Sequence, residues 1–117
     1  MASDEKRHPR DCRADHSVVA GNLREGDTAT RFGGEEFVLV LPNADPITLR
    51  AVSERVRMLV RSSSIDLDGA NEVSVTVSLG ATLATSEDRA TTLLQRADQL
   101  LYRSKHEGRN RLTIDTQ

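Results

Sequence analysis

Aromatic residues are nearly missing from this chain of 117 residues, which has no Trp, one Tyr and two Phe. A hydrophobic core must then be assembled from Val, Leu, Ile and Ala, each of which removes less surface from water than an aromatic ring. Cysteine occurs once, as Cys12. That excludes an intrachain disulfide and any CxxC zinc spacing, and makes a reducing compartment, the cytoplasm, the natural setting. No apolar run approaches the roughly 20 residues that span a bilayer, and the amino terminus carries no signal-peptide core. Neither sign of charge dominates, since 16 basic residues face 18 acidic ones for a formal charge of -2. A general electrostatic grip on nucleic acid or an anionic membrane is excluded, whereas a small phosphate ligand held by a few cations is not. His8, His16 and His106 have no metal-ligand spacing, and the serine run at 62–64 has no base placed to make a nucleophile.

What is present fits one domain. Residues 3–16 are dominated by Asp, Glu, Lys, Arg and His. They are too polar to offset the entropy of ordering, so residues 1–17 are expected to form a flexible leader and residues 18–117 the folded part. Residues 18–24 read as the last turns of a helix ended by Gly26. Two strand-like runs, 28–32 and 36–41, flank Gly33 and Gly34, the signal of a tight hairpin, and Pro42 stops the second. A helix follows, with Asp45 as cap, Pro46 in its first turn, and Ile47, Ala51, Val52, Val56, Leu59 and Val60 as its buried stripe. Alternation from Val73 to Gly80 predicts a strand. Thr92 and Gln95 have capping-box spacing and open a second helix, which Gly108 ends. Residues 111–114 make a short last strand. Hairpin, helix, strand, helix, strand is an α+β order, without the repeated units of a doubly wound sheet.

Four separated segments carry a family resemblance: Arg31-Phe32-Gly33-Gly34-Glu35-Glu36-Phe37, Val75-Thr76-Val77-Ser78-Leu79-Gly80, Ala97-Asp98-Gln99-Leu100-Leu101-Tyr102, and Lys105-His106-Glu107-Gly108-Arg109-Asn110-Arg111. In order and separation they resemble the carboxy-terminal portion of a GGDEF domain, the catalytic module of diguanylate cyclases. The resemblance implies a palm-like, largely antiparallel sheet packed with helices. It implies a nucleotidyl transfer in which two GTP become cyclic di-GMP, assisted by Mg²⁺ or Mn²⁺, with two half-sites meeting in a homodimer that serves signal transduction, often below a sensor domain.

Transferred residue by residue, the resemblance makes Glu35 the metal-binding acid and Glu36 a second catalytic acid. Gly33 and Gly34 become the bare backbone against which nucleotide lies, and Lys105 and Arg109 the phosphate-binding cations on one helix face. Hard carboxylate oxygens suit a divalent cation beside phosphate. Arg24 and Asp27 match the RxxD inhibitory site that binds cyclic di-GMP in many family members, and Arg55 is similar in position to an arginine that completes it. Taken without that context, each feature has a plainer reading: an ordinary hairpin with solvated acids, a basic helix end complementing the helix dipole, and a local Arg24–Asp27 ion pair. The sequence also departs from the family. Nothing matches the opening strand with its DxDxFK segment or the helix after it, and the acids of Asp11-Cys12-Arg13-Ala14-Asp15 are not assigned to metal. Without that strand, the hairpin or its neighbour is expected to expose unpaired ladder groups. Two further readings therefore stand beside the enzyme: an inactive module that binds cyclic di-GMP, and a structural or dimerising remnant.

Overall fold

A computed structural model describes residues 1–5, 21, 23–33, 36–62, 65–67, 71–73 and 76–115. Along the chain they form strand β1 (Ala2–Glu5), β2 (Thr28–Gly33), β3 (Glu36–Val40), helix α1 (Pro46–Ser62), β4 (Ile65–Leu67), β5 (Asn71–Val73), β6 (Thr76–Ala81), helix α2 (Ala90–His106) and β7 (Leu112–Ile114). Five strands make one sheet in the order β2-β3-β1-β6-β7, while β4 and β5 pair apart from it. Within the sheet only β6 and β7 run parallel, joined across α2 as a parallel pair requires, and the other neighbours are antiparallel. The fold is α+β, as the sequence implies.

The largest departure from expectation is β1. Residues 2–5, read as part of a polar leader, form the central strand, with Ala2 opposite both Phe37 of β3 and Leu79 of β6. Met1 extends the pairing, because Gly80 donates its N–H to the Met1 carbonyl at 2.8 Å. The ladder groups of β3 and β6 expected to be bare are therefore paired along this strand. Ala2 is 0% exposed and belongs to the core formed with Phe37, Val56, Val60, Val77 and Leu79. A four-residue strand with one inward alanine carries no readable alternation, which is why polarity alone misassigns it. The rest of the expected leader, from residue 6 to 20, lies outside the described residues.

The hairpin of β2 and β3 forms as predicted, with a register shift between Arg31 and Gly33. Helix α1 starts where the sequence places it, the Thr48 N–H donating to the Asp45 carboxylate at 2.7 Å. Its inward stripe, however, is Leu49, Ser53, Val56 and Val60. Ile47 is 81% exposed, and Ala51 also faces solvent, so the stripe lies rotated from the predicted one. Val73 belongs to β5 and not to the predicted long strand, which in the structure is β6.

Helix α1 covers the sheet face that carries Phe37, Val77 and Leu79. Helix α2 lies on the other face, so close to β6 that a Cβ built on Gly80 would overlap backbone atoms of Ala97 and Leu101. The Ser104 hydroxyl donates to the Leu79 carbonyl at 2.7 Å across that contact. The helix begins at Ala90 rather than at Thr92, whose hydroxyl sits in the first turn and accepts from the Arg89 N–H at 2.9 Å. The preceding loop is held by Arg96, which donates to both oxygens of Asp88, to Thr82 and to the Leu83 carbonyl. Those bonds, with the Thr85 N–H, hold the Asp88 carboxyl well below the usual carboxylate range.

Candidate functional site

Strand directions decide which residues meet. β3 begins at the signature end of the sheet with Glu36, β6 begins there with Thr76, and α2 returns along β6 to finish at that same end. The last turn of α2 thus comes over the first residue of β3, and the Lys105 ammonium lies 3.7 Å from the Glu36 carboxylate. Both side chains are partly shielded, at 25% and 33% exposure. The distance exceeds that of a charge-assisted hydrogen bond, so the pair is held by field more than by contact. Glu35 and Gly34 lie outside the described residues, and Gly33 pairs through its backbone with Glu36.

β1 adds residues that the sequence reading left unassigned. Ser3 pairs with Glu36 on one side and Ser78 on the other, and the strand runs on through Asp4 and Glu5 at the signature end of the sheet. The backbone of a segment read as a leader therefore reaches the signature end of the sheet. No local signal marks this segment as a strand. Ser3 is 1% exposed and its hydroxyl has no hydrogen-bond partner among the described residues. A buried orphan hydroxyl on the strand position opposite Glu36 is the kind of group that a ligand oxygen or water satisfies. Among the described residues no cluster of three or more acidic, His or Cys side chains forms a metal cage. Glu36 is the described side chain with the hard oxygen chemistry that a magnesium ion takes, and its fit is that of one donor in a set completed elsewhere.

Arg109 is placed differently from expectation. α2 ends at His106, so Lys105 and Arg109 do not share a helix face; Arg109 stands in the turn beyond it with φ 61°. Its N–H still donates to the Ser104 carbonyl at 2.9 Å, which ties the turn to the helix end. Gly108 precedes it at φ 127°, a conformation glycine adopts without strain.

Arg24 and Asp27 form a tight turn about Gly26, with the Asp27 N–H donating to the Arg24 carbonyl at 3.0 Å. Residues 23 and 24 are not helical, and residues 18–20 of the helix expected before Gly26 lie outside the described residues. The guanidinium binds the carboxylate in two places, Nε at 3.1 Å and a terminal nitrogen at 3.2 Å, and it holds the Asp27 carboxyl below its usual range. The Asp27 side chain is 1% exposed and that of Arg24 47%, so the guanidinium keeps an open side. Arg55 lies on the exposed face of α1. At the opposite end of the sheet from Glu36, a cavity of about 470 Å³ is lined mainly by apolar residues such as Val40, Leu49, Ala81 and Leu93. It takes no part in the grouping of Glu36 with Lys105. No helix among the described residues is long and apolar enough to cross a membrane.

Comparison with known proteins follows this geometry. The family model described as diguanylate cyclase, GGDEF domain, matches residues 16–111. Diguanylate cyclase A of Treponema denticola is 40% identical over 98 residues, covering 83% of this chain and 26% of the relative. The chain thus spans about a quarter of that protein's length. Among solved structures, the GGDEF domain of DgcB from Caulobacter crescentus, in complex with c-di-GMP, superimposes with TM-score 0.82 and 27% identity, over 97% of this chain and 73% of that one. Diguanylate cyclase SiaD of Pseudomonas aeruginosa, in complex with its activator SiaC, gives TM-score 0.83 and 28% identity, over 97% and 48% of the two chains. With the sheet order, the signature hairpin and the family match in agreement, the chain belongs to the GGDEF family of diguanylate cyclase domains.

Proposed function

We propose that the chain is a diguanylate cyclase module that binds GTP at the signature end of the sheet and condenses two molecules to cyclic di-GMP across a homodimer. The observation that carries this reading is the approach of Lys105 to Glu36 at 3.7 Å, which unites a phosphate-seeking cation with a carboxylate of the signature. Lys105 and Arg109 take the triphosphate, and the bare backbone of Gly33 and Gly34 admits the nucleotide. Glu35 and Glu36 supply oxygen ligands to Mg²⁺ or Mn²⁺. When bound, the metal neutralises phosphate charge and acidifies the attacking hydroxyl. Lys105 offsets charge on the same phosphates, and the buried hydroxyl of Ser3 offers one further donor beside Glu36. Such a substrate places the protein in the cytoplasm.

The test is direct. Purified chain is incubated with GTP and Mg²⁺, and products are separated by chromatography. Cyclic di-GMP that disappears in Glu36→Gln and Lys105→Ala supports the reading, and its absence from the wild type sinks it. A second reading is favoured by the half-open Arg24 guanidinium beside the buried Asp27 carboxylate: binding of cyclic di-GMP as a regulatory ligand, with Arg55 contributed from α1. Calorimetry separates the two, because Arg24→Ala abolishes cyclic di-GMP binding in this reading and leaves GTP binding intact.

A further inference from the structure

Beyond the end of α2 the backbone takes positive φ at three residues in a row, Gly108 at 127°, Arg109 at 61° and Asn110 at 47°. Glycine adopts such angles freely and asparagine tolerates them, but an arginine held there is uncommon and persists only where its surroundings impose it. The helix cap holds the start of the turn, where the Glu107 and Arg109 N–H groups bond back to the Arg103 and Ser104 carbonyls. One constraint at Asn110 comes from α1. Arg57 donates to the Asn110 side-chain oxygen at 3.2 Å. Its other nitrogens, Nε at 3.0 Å and a terminal one at 2.9 Å, grip the Glu54 carboxylate one turn earlier on the same helix. The Arg57 side chain is 18% exposed, so its fork is fixed by Glu54 before it reaches the turn.

We propose that Glu54, Arg57 and Asn110 are positioning residues, which lock the left-handed turn so that Arg109 is presented to the nucleotide phosphates. This rests on the assignment of Arg109 to phosphate under the proposed function. The physical reason is that Arg109 immediately precedes Asn110, so any relaxation of Asn110 out of its left-handed conformation rotates the peptide that aims the Arg109 side chain. Holding that conformation in advance removes an ordering cost from binding. α1 and α2 lie on opposite faces of the sheet, and the Arg57–Asn110 bond connects the first helix to the turn that follows the second.

The test is a double-mutant cycle read by calorimetry, with inorganic tripolyphosphate and Mg²⁺ as the probe on the full chain, at a temperature where circular dichroism shows each variant folded. Arg109→Ala is expected to weaken tripolyphosphate at least tenfold, as loss of a charged donor does. Arg57→Ala is expected to weaken it about three- to tenfold in the wild-type background, and by less than twofold when Arg109 is already alanine, because a positioning residue has nothing left to position. Asn110→Ala reads the same coupling from the turn itself, and serves if Arg57→Ala fails to fold. Equal loss from Arg57→Ala with or without Arg109, or no loss at all, overturns the positioning role while leaving the phosphate site standing. An unchanged affinity in Arg109→Ala, or no binding by the wild type, overturns the phosphate assignment itself and the inference with it.

Discussion

Replacing Gly80 by alanine tests how the two layers of the fold meet. A Cβ at this position would overlap the carbonyl oxygen of Ala97 and the amide nitrogen of Leu101, and would lie 2.8 Å from the Leu100 carbonyl carbon. All three neighbours are backbone, so no flexible side-chain end can swing aside and α2 must move off β6 as a body. Overpacking alone costs about 1–3 kcal/mol. Displacing the helix also stretches the 2.7 Å bond from Ser104 to the Leu79 carbonyl, whose loss adds about 1 kcal/mol. The expected penalty is about 2–4 kcal/mol, against a typical domain stability of about 5–15 kcal/mol. For a domain of this size that lowers the melting temperature by roughly 8–30 °C. Urea denaturation followed by circular dichroism gives the number, with the midpoint falling by about 2 M at an ordinary slope. A loss below about 1 kcal/mol would refute the close approach of α2 to β6.

The remaining predictions test other joints of the molecule. Ala2→Asp puts an unpaired carboxylate between Phe37 and Leu79, so urea titration is expected to show a loss of about 3 kcal/mol or more; an unchanged midpoint would return residues 2–5 to a mobile leader. Lys105→Ala removes a partly exposed ion pair worth about 0–1 kcal/mol, so melting shifts by only a few degrees while GTP affinity measured by calorimetry falls at least tenfold. Asp88 supplies the pH dependence. Its carboxyl sits well below the unfolded value of about 3.9, so the folded state binds fewer protons, and its stabilisation is complete above about pH 4 and fades as acid carries the pH toward the folded value. Asp88→Asn is therefore expected to lower stability at neutral pH and to flatten the fall in urea midpoint between about pH 5 and pH 2. A parallel, equally steep acid limb in the variant would count against Arg96 as the group that holds Asp88.

Legibility in the sequence followed the length and patterning of each segment. The β2–β3 hairpin, the Asp45 cap and the apolar positions of α2 could all be read, because a glycine pair, a capping carboxylate three residues before the N–H that donates to it, and a helical period each leave a local mark. The stripe of α1 was read a few residues out of phase. Ile47 is hydrophobic yet exposed, and Ser53 is polar yet buried, so hydrophobicity and burial disagree at the two positions that set the phase. β1 left no mark at all, since Ala2 alone faces the core and the rest of the segment is Ser, Asp and Glu. Arg109 was assigned to a helix face on spacing, whereas Gly108 had already ended the helix.

The misread strand β1 bears directly on the geometry of the site. Lys105 is brought to Glu36 by the antiparallel return of α2 along β6, and β6 is fixed in the sheet through its pairing with β1 from Thr76 to Leu79. β3 is fixed on the other side of the same strand, through Ala2 and Ser3. Without β1, β3 and β6 would have no common neighbour, and the distance between a residue opening β3 and a residue closing α2 would be set by loops alone. The segment that looked least structured thus sets the spacing between the signature carboxylate and its cation. Because strands lie about 4.7–4.9 Å apart, inserting one strand between β3 and β6 fixes their separation to within a few tenths of an ångström. A site that must hold both charges of a metal-bound phosphate has this central strand as its ruler, and substitutions in residues 2–5 are expected to alter ligand binding through Glu36 and Lys105 together rather than through either one.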